Sequence, residues 1–146
     1  MARELFTIGY QGYEFNDFAG LLNANRIRML VDVRHSARSR KRPFAKQALR
    51  SGLEGEDLRY VHMPELGAPP AIRNILKLTG DFALFAKAYR KHLASQKGAL
   101  QRLHELVTTE TSCLMCMEND PERCHRSIAG TIVAKMNGQD IQVRHL

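Results

Sequence analysis

Between Cys113 and Arg126 the chain gathers six side chains that could do chemistry together: Cys113, Cys116, Glu118, Cys124, His125 and Arg126. A Cys-x-x-Cys followed by Cys-His resembles a four-ligand zinc set. The local sequence argues against it, because Ser112 to Met117 (SCLMCM) reads as a strand. An offset of three in a strand points Cys113 and Cys116 to opposite faces. The two are then buried hydrophobes, as unpaired cysteines usually are, and no metal ligand is assigned. Cys124 is different. A helix beginning near Arg123 and running to Met136 places this thiol at a positive dipole end, where backbone N–H groups attract anions and favour a thiolate. A nucleophilic Cys124 needs a positioned base; His125 is too near in sequence to be assumed, and His62 is the better candidate. The alternative is a capping turn in which His125 and Arg126 hydrogen-bond to neighbouring loops. Both readings stay open.

A second group lies upstream. Asp32 interrupts an apolar run, Met29 to Val33 (MLVDV), where a carboxylate is costly unless paired, with Arg34 or with one of the downstream arginines. Either a structural ion pair or a site role fits. The basic segment follows at once. With 22 Lys and Arg against 15 Asp and Glu the chain carries +7. Arg34, Arg38, Arg40, Lys41, Arg42 and Lys46, in a stretch without acids, account for nearly all of that excess. A charge so localised implies a local anionic partner. Arg38-Ser39-Arg40 sets guanidinium and hydroxyl donors side by side, which suits phosphate or carboxylate oxygens.

Elements must bring these groups together. Leu5 to Tyr10 (LFTIGY) reads as a first strand. Phe15, Phe18 and Leu22 recur at helical spacing and Asn23 to Asn25 end that helix. After the strand at Met29 to Val33, Pro43 to Arg50 is a helix with Pro in its first turn. Arg59 to His62 is a short strand, Pro64 to Pro70 is rich in turn formers, and Ala71 to Leu78 is a short helix. Gly80-Asp81 opens another, with Phe82, Phe85, Ala86, Tyr89 and Leu93 on one face and Lys87, Arg90 and Lys91 on the other. Leu100, Leu103 and Leu106 continue the pattern. Ser112 to Met117 is the fourth strand and Asp140 to Val143 the last. This order predicts an α/β fold: a single three-layer domain with a mostly parallel, twisted sheet of about five strands and helices on both faces.

In such sheets ligands bind beyond the carboxyl ends of the strands. That rule selects Gly9 and Tyr10 after the first strand, Asp32, Arg34 and the basic loop after the second, His62 after the third, and Glu118 with the Cys124-His125-Arg126 turn after the fourth. A length of 146 residues with 44% hydrophobic residues suits one domain over residues 1–146. No signal-peptide core or membrane-spanning run is evident, so the expected setting is the cytoplasm. The odd count of three cysteines makes reduced thiols the expected state.

The stretches TIGYQGYEFNDFAGLL, LVDVRHSARSR, YVHMPELG and CLMCMENDPERCHRSIAG, taken in this order, are specific as a set. Through them the chain resembles the bacterial and archaeal family called domain of unknown function 488, from Thr7 to about Ala129. The resemblance implies special roles for Gly9, Tyr10, Asp32, Val33, Arg34, Ser39 and Arg40, for His62, Leu66 and Gly67, and for Cys116, Glu118, Cys124, His125 and Arg126. Ala37 stands where similar sequences often have Pro, and Ala68 follows Gly67 where a second Gly is common.

The functional expectation is a domain that binds an anionic, phosphate-bearing ligand, a nucleotide or a nucleic-acid end, at the strand ends. Gly9, Tyr10, Arg34, Arg38, Ser39, Arg40 and Arg126 would hold it. Asp32, His62, Glu118, Cys124 and His125 would supply the chemistry of a hydrolase or transferase. No cofactor is expected. A phosphate-binding P-loop and a GxGxxG run are both missing, and the residue six beyond Cys124 is Gly130 rather than the Arg of a cysteine phosphatase. One alternative is a non-catalytic nucleic-acid-binding module using residues 34–46, although no aromatic cluster accompanies the patch. A second is a thiol redox or metal protein built on Cys116 and Cys124.

Overall fold

Runs of four to six residues, apolar in the central strands and more polar at the two edges, make the strands β1 (Glu4–Gly9), β2 (Met29–Asp32), β3 (Arg59–His62), β4 (Ser112–Cys116) and β5 (Gln142–His145). They pair side by side in the order β3-β2-β4-β1-β5, and every pairing is parallel. The computed structural model describes residues 3–146. The expected α/β architecture is thus present, with the sheet parallel throughout.

The helices are α1 (Phe15–Ala24), α2 (Lys46–Glu54), α3 (Pro70–Thr79), α4 (Phe82–Ala94), α5 (Lys97–Thr109) and α6 (His125–Ala134). Successive strand residues face opposite sides, so the sheet supports two cores. On one side Leu30, Cys113 and Met115 pack with Phe18 and Leu22 of α1 and with Leu49 and Leu53 of α2. On the other, Val31, Leu114 and Cys116 pack with Phe85 and Tyr89 of α4, Leu103 of α5 and Ala129 and Val133 of α6. Cys113 and Cys116 therefore do face opposite ways, as the strand period requires.

Three element boundaries differ from expectation. Pro43 belongs to a short 3-10 turn, Arg42–Phe44, and α2 starts only after Ala45, whose ψ of 146° breaks the helical path. The helix expected over Pro43 to Arg50 is thereby shifted toward Glu54. The helix after Cys124 stops at Ala134 and a 3-10 turn spans Met136–Gly138. β5 runs over Gln142–His145 rather than Asp140 to Val143, because its register is set by pairing Glu4 with Gln142 and Thr7 with His145. Elsewhere the boundary signals hold: Gly80 closes α3 with φ 67°, and Asp81 caps α4 by accepting from the Leu84 amide at 3.2 Å.

Topology opens a crevice at the end of β4. Its neighbours β1 and β2 lead into α1 and α2 on one face, whereas β4 leads into α6 on the other. Loops leaving neighbouring strands in opposite directions part above the sheet, and that gap is where open α/β sheets place ligands. Two glycines let the loops approach one another. A Cβ on Gly9 would overlap the Glu118 carbonyl, and one on Gly67 would overlap the His35 amide.

Gly9→Ala and Gly67→Ala should each destabilise the protein by about 3 kcal/mol, the upper part of the range for overpacking, because the obstacle is backbone. Gly20→Ala in α1, with open space around the added methyl, should stabilise by up to about 1 kcal/mol. Urea unfolding midpoints of the three variants check the contrast.

Candidate functional site

The second strand ends in a buried ion pair. Asp32 is fully buried and Arg34 is 6% exposed. Arg34 Nε donates to Asp32 Oδ1 at 2.9 Å and Nη2 to Oδ2 at 2.7 Å, a two-point pairing. Tyr60, on the neighbouring strand, donates its hydroxyl to Oδ2 at 2.6 Å. Arg34 Nη1 donates to the Phe44 carbonyl at 2.8 Å, and the guanidinium lies 5.4 Å from the Tyr10 ring centroid. Burial works against the Arg34 charge, but the bonds and field of Asp32 outweigh it and hold the guanidinium above its ordinary pKa. Burial, and then the same carboxylate, push the Tyr60 hydroxyl up.

Two expected site residues lie in or beside this network. Asp32 is absent from the cleft wall described below, and its oxygens are engaged by Arg34 and Tyr60. His62 also stays off the wall, with its Nε2 2.8 Å from the Arg34 carbonyl oxygen.

The fourth strand ends in a sulfur-rich turn. Cys116 and Cys124 are paired as a disulfide, with Cα atoms 7.6 Å apart, and Cys113 is the free cysteine. The spacing of the cysteines gave no sign of this pairing; the fold brings the two residues together across the loop from Met117 to Arg123. Glu118 Oε2 stands 3.7 Å from each of the two sulfurs. Cys124 occupies the N-cap of α6, as expected. His125 Nε2 lies 2.7 Å from the Val33 carbonyl, so that nitrogen carries the ring proton and Nδ1 is left as an acceptor, 3.9 Å from Cys124 Sγ. The ring meets Tyr89 edge-on at 5.3 Å, and burial lowers its pKa below the ordinary histidine value.

Arg126 is the largest fully buried side chain. It donates to Thr7 Oγ1 at 3.1 Å, to the Glu118 carbonyl and to the Asn119 carbonyl at 3.4 Å, and Nη1 is 3.3 Å from Cys116 Sγ. It does not line the cleft, and its hydrogen bonds hold the loop after β4. Burial lowers its pKa, and among the described residues no carboxylate lies within ion-pair distance of it.

Between the basic loop, α3 and the Cys124 turn lies a cleft of about 530 Å³. Tyr10, Arg34, Arg38, Glu118, Cys124 and His125 reach its wall from the expected set. Gly9, Ser39 and Arg40 do not. Gly9 packs under the Glu118 backbone, Ser39 Oγ accepts from the Tyr10 hydroxyl at 3.1 Å, and Arg40 is exposed to solvent away from the wall. The sequence reading missed Arg73 and Lys77 of α3 and Arg123 of the turn before α6, all of which line the cleft. The four-residue spacing of Arg73 and Lys77 put them on one helical face, but nothing local indicated that this face looks toward the Cys124 turn. Arg38, Arg73, Lys77 and Arg123 have no carboxylate partner among the described residues, and Glu118 is the one acid on the wall.

A family model described as Domain of unknown function DUF488 matches residues 14–133, most of the chain. The match begins after β1, so Gly9 and Tyr10 lie outside it. No curated protein and no solved structure matches.

Asp32→Ala should cost about 3–5 kcal/mol, because it leaves the Arg34 charge buried and unpaired; urea denaturation measures it, and a loss below about 1 kcal/mol would contradict the network. His125 contributes a pH dependence whose sign follows from its lowered pKa. The unfolded chain binds this proton more readily, so stability is complete above the ordinary histidine pKa of 6.5 and declines as pH falls below it. His125→Gln should flatten that decline in unfolding midpoints measured from pH 7.5 down to about pH 5.

Proposed function

We propose, for a chain that belongs to the DUF488 family, that the cleft binds an anionic, phosphate-bearing small molecule such as a nucleotide. The observation that carries this reading is the wall itself: Arg38, Arg73, Lys77 and Arg123 surround one cavity and none has a carboxylate partner among the described residues. Unpaired cations around a concavity focus the field on its interior and favour a multiply charged anion. A volume of about 530 Å³ is within the usual range of small-molecule sites. Tyr10, Phe85 and Leu76 supply apolar surface on the same wall, which suits a ligand with a ring as well as a charge.

The folding back of the basic loop favours a cavity ligand over a nucleic-acid duplex. Arg34 is neutralised by Asp32, and Lys41 turns its ammonium onto the Tyr13 carbonyl. What the sequence offered as one continuous basic face is thereby divided. Arg38 turns to the cleft while Arg40 and Arg42 remain on the exterior. Hydrolysis or transfer of a phosphate-containing substrate is the reaction class the wall supports, with Glu118 as its one carboxylate and His125 as a neutral neighbour.

Calorimetric titration at low salt with inorganic phosphate, nucleoside monophosphates and nucleoside triphosphates should give saturable binding that weakens as salt rises. Arg38→Ala and Arg73→Ala should each reduce affinity by about tenfold, the value of one charge-assisted hydrogen bond, while Arg40→Ala leaves it unchanged. Absence of binding by all these probes would overturn the reading. Binding of random-sequence oligonucleotides that is lost in Arg40→Ala and Arg42→Ala, with no binding of nucleotides, would transfer the function to the basic exterior.

A further inference from the structure

We propose that Cys116, Glu118 and Cys124 form a binding site for a soft divalent cation of the zinc class at the floor of the cleft. Each residue offers one ligand atom, and the three atoms lie within 4.8 Å of one another. The donor set, two thiolates and a carboxylate, is one that zinc accepts. Its spacing, Cys-x-Glu followed six positions later by Cys, is not a Cys-x-x-Cys knuckle. The strand aims Cys116 into the cleft, the following loop turns Glu118 back over it, and the helix start presents Cys124.

Three further observations point to an ion there. The first is the charge of Arg126. A fully buried guanidinium is costly without an anion beside it, and here no carboxylate serves it among the described residues. Its Nη1 lies 3.3 Å from Cys116 Sγ, so a thiolate at Cys116 is its natural counter-charge. Two thiolates and a carboxylate then exceed what Arg126 neutralises by two charges, and a divalent cation closes the difference. The second is the spacing of the backbone. The Cα atoms of Cys116 and Cys124 are 7.6 Å apart, wider than the roughly 4.4–6.8 Å usual for a direct bridge, so that the two sulfurs, once reduced, are free to separate and turn toward a shared ion. The third is the orientation of His125: with Nε2–H given to the Val33 carbonyl, the Nδ1 lone pair is turned toward Cys124 Sγ at 3.9 Å. A histidine oriented by a backbone carbonyl in this way is the usual preparation for a metal ligand, and it lies beside Cys124.

The disulfide and the ion are alternative states of the same pair. A dithiol reductant exchanges the Cys116–Cys124 bond for two thiols while becoming a disulfide itself, and the cation then displaces the two thiol protons to solvent. The site does not depend on the phosphate reading. It is a statement about the cleft floor, whereas the unpaired arginines and lysine line the walls.

The test uses the whole chain, reduced with a dithiol and freed of that reagent under anaerobic conditions, titrated with Co²⁺ as a spectroscopic substitute for Zn²⁺. A thiolate-to-cobalt charge-transfer band saturating at one ion per chain is the expected result, displaced by Zn²⁺. Cys116→Ser and Cys124→Ser should each weaken binding by more than about tenfold and Glu118→Gln by about tenfold, whereas Cys113→Ser, on the opposite face of the sheet, leaves the band intact. Circular dichroism of each variant establishes that it folds. No band in the folded, fully reduced protein overturns the proposal. So does a band that survives Cys124→Ser at full strength, or one that is lost with Cys113→Ser. None of these results bears on nucleotide binding, which is read separately by titration of the oxidised protein.

Discussion

Two buried guanidiniums, Arg34 and Arg126, organise the carboxyl edge of this sheet. Both are almost wholly buried, and each holds a loop that leaves a strand through backbone carbonyls: Arg34 gives one nitrogen to Phe44 and two to Asp32, and Arg126 reaches Glu118 and Asn119. Backbone carbonyls in a loop are otherwise expensive to bury. A forked donor satisfies several at once and fixes the distance between strand and loop, which a lysine at either position could not do. The edge is therefore stiff where a purely apolar edge would be free to vary.

The two cations are compensated differently. Arg34 has Asp32 two residues away, and the pair closes within β2 and its exit. Arg126 has backbone and hydroxyl oxygens and one sulfur around it, with no carboxylate among the described residues. Its charge is thus presented to the sulfur pair. The contrast leaves the β2 side of the edge locally neutralised, while electron-rich sulfurs gather beside Arg126 on the β4 side. It also separates two populations of basic residues: buried ones that hold loops, and Arg38, Arg73, Lys77 and Arg123, which reach open space.

The fold was legible because the central strands are short apolar runs bounded by turn residues, and because β and α patterns alternate. Parallel pairing and two-sided helix cover then follow from connection geometry. The shifted boundaries have local causes that pattern reading overlooks: an extended Ala45 after Pro43, and a last strand whose limits come from its neighbour's register. Asp32 was legible as a carboxylate needing a partner, and Arg34 was the nearest candidate. The opposite orientation of Cys113 and Cys116 was legible for the same reason, since a strand has period two.

Sequence alone was enough for the architecture, the ion pair at the end of β2, the helix N-cap at Cys124 and the crowding of polar groups at strand ends, because all of these depend on separations of a few residues or on periodicity. Only tertiary structure decided which of those groups share a space. Arg73 and Lys77 meet the Cys124 turn because α3 returns over the edge after β3, and Arg126 is withdrawn from that space because α6 packs its first turn against β1 and β4. Such meetings depend on where a helix axis comes to rest on the sheet. That position is the outcome of packing across the whole core, and no short stretch of the chain encodes it.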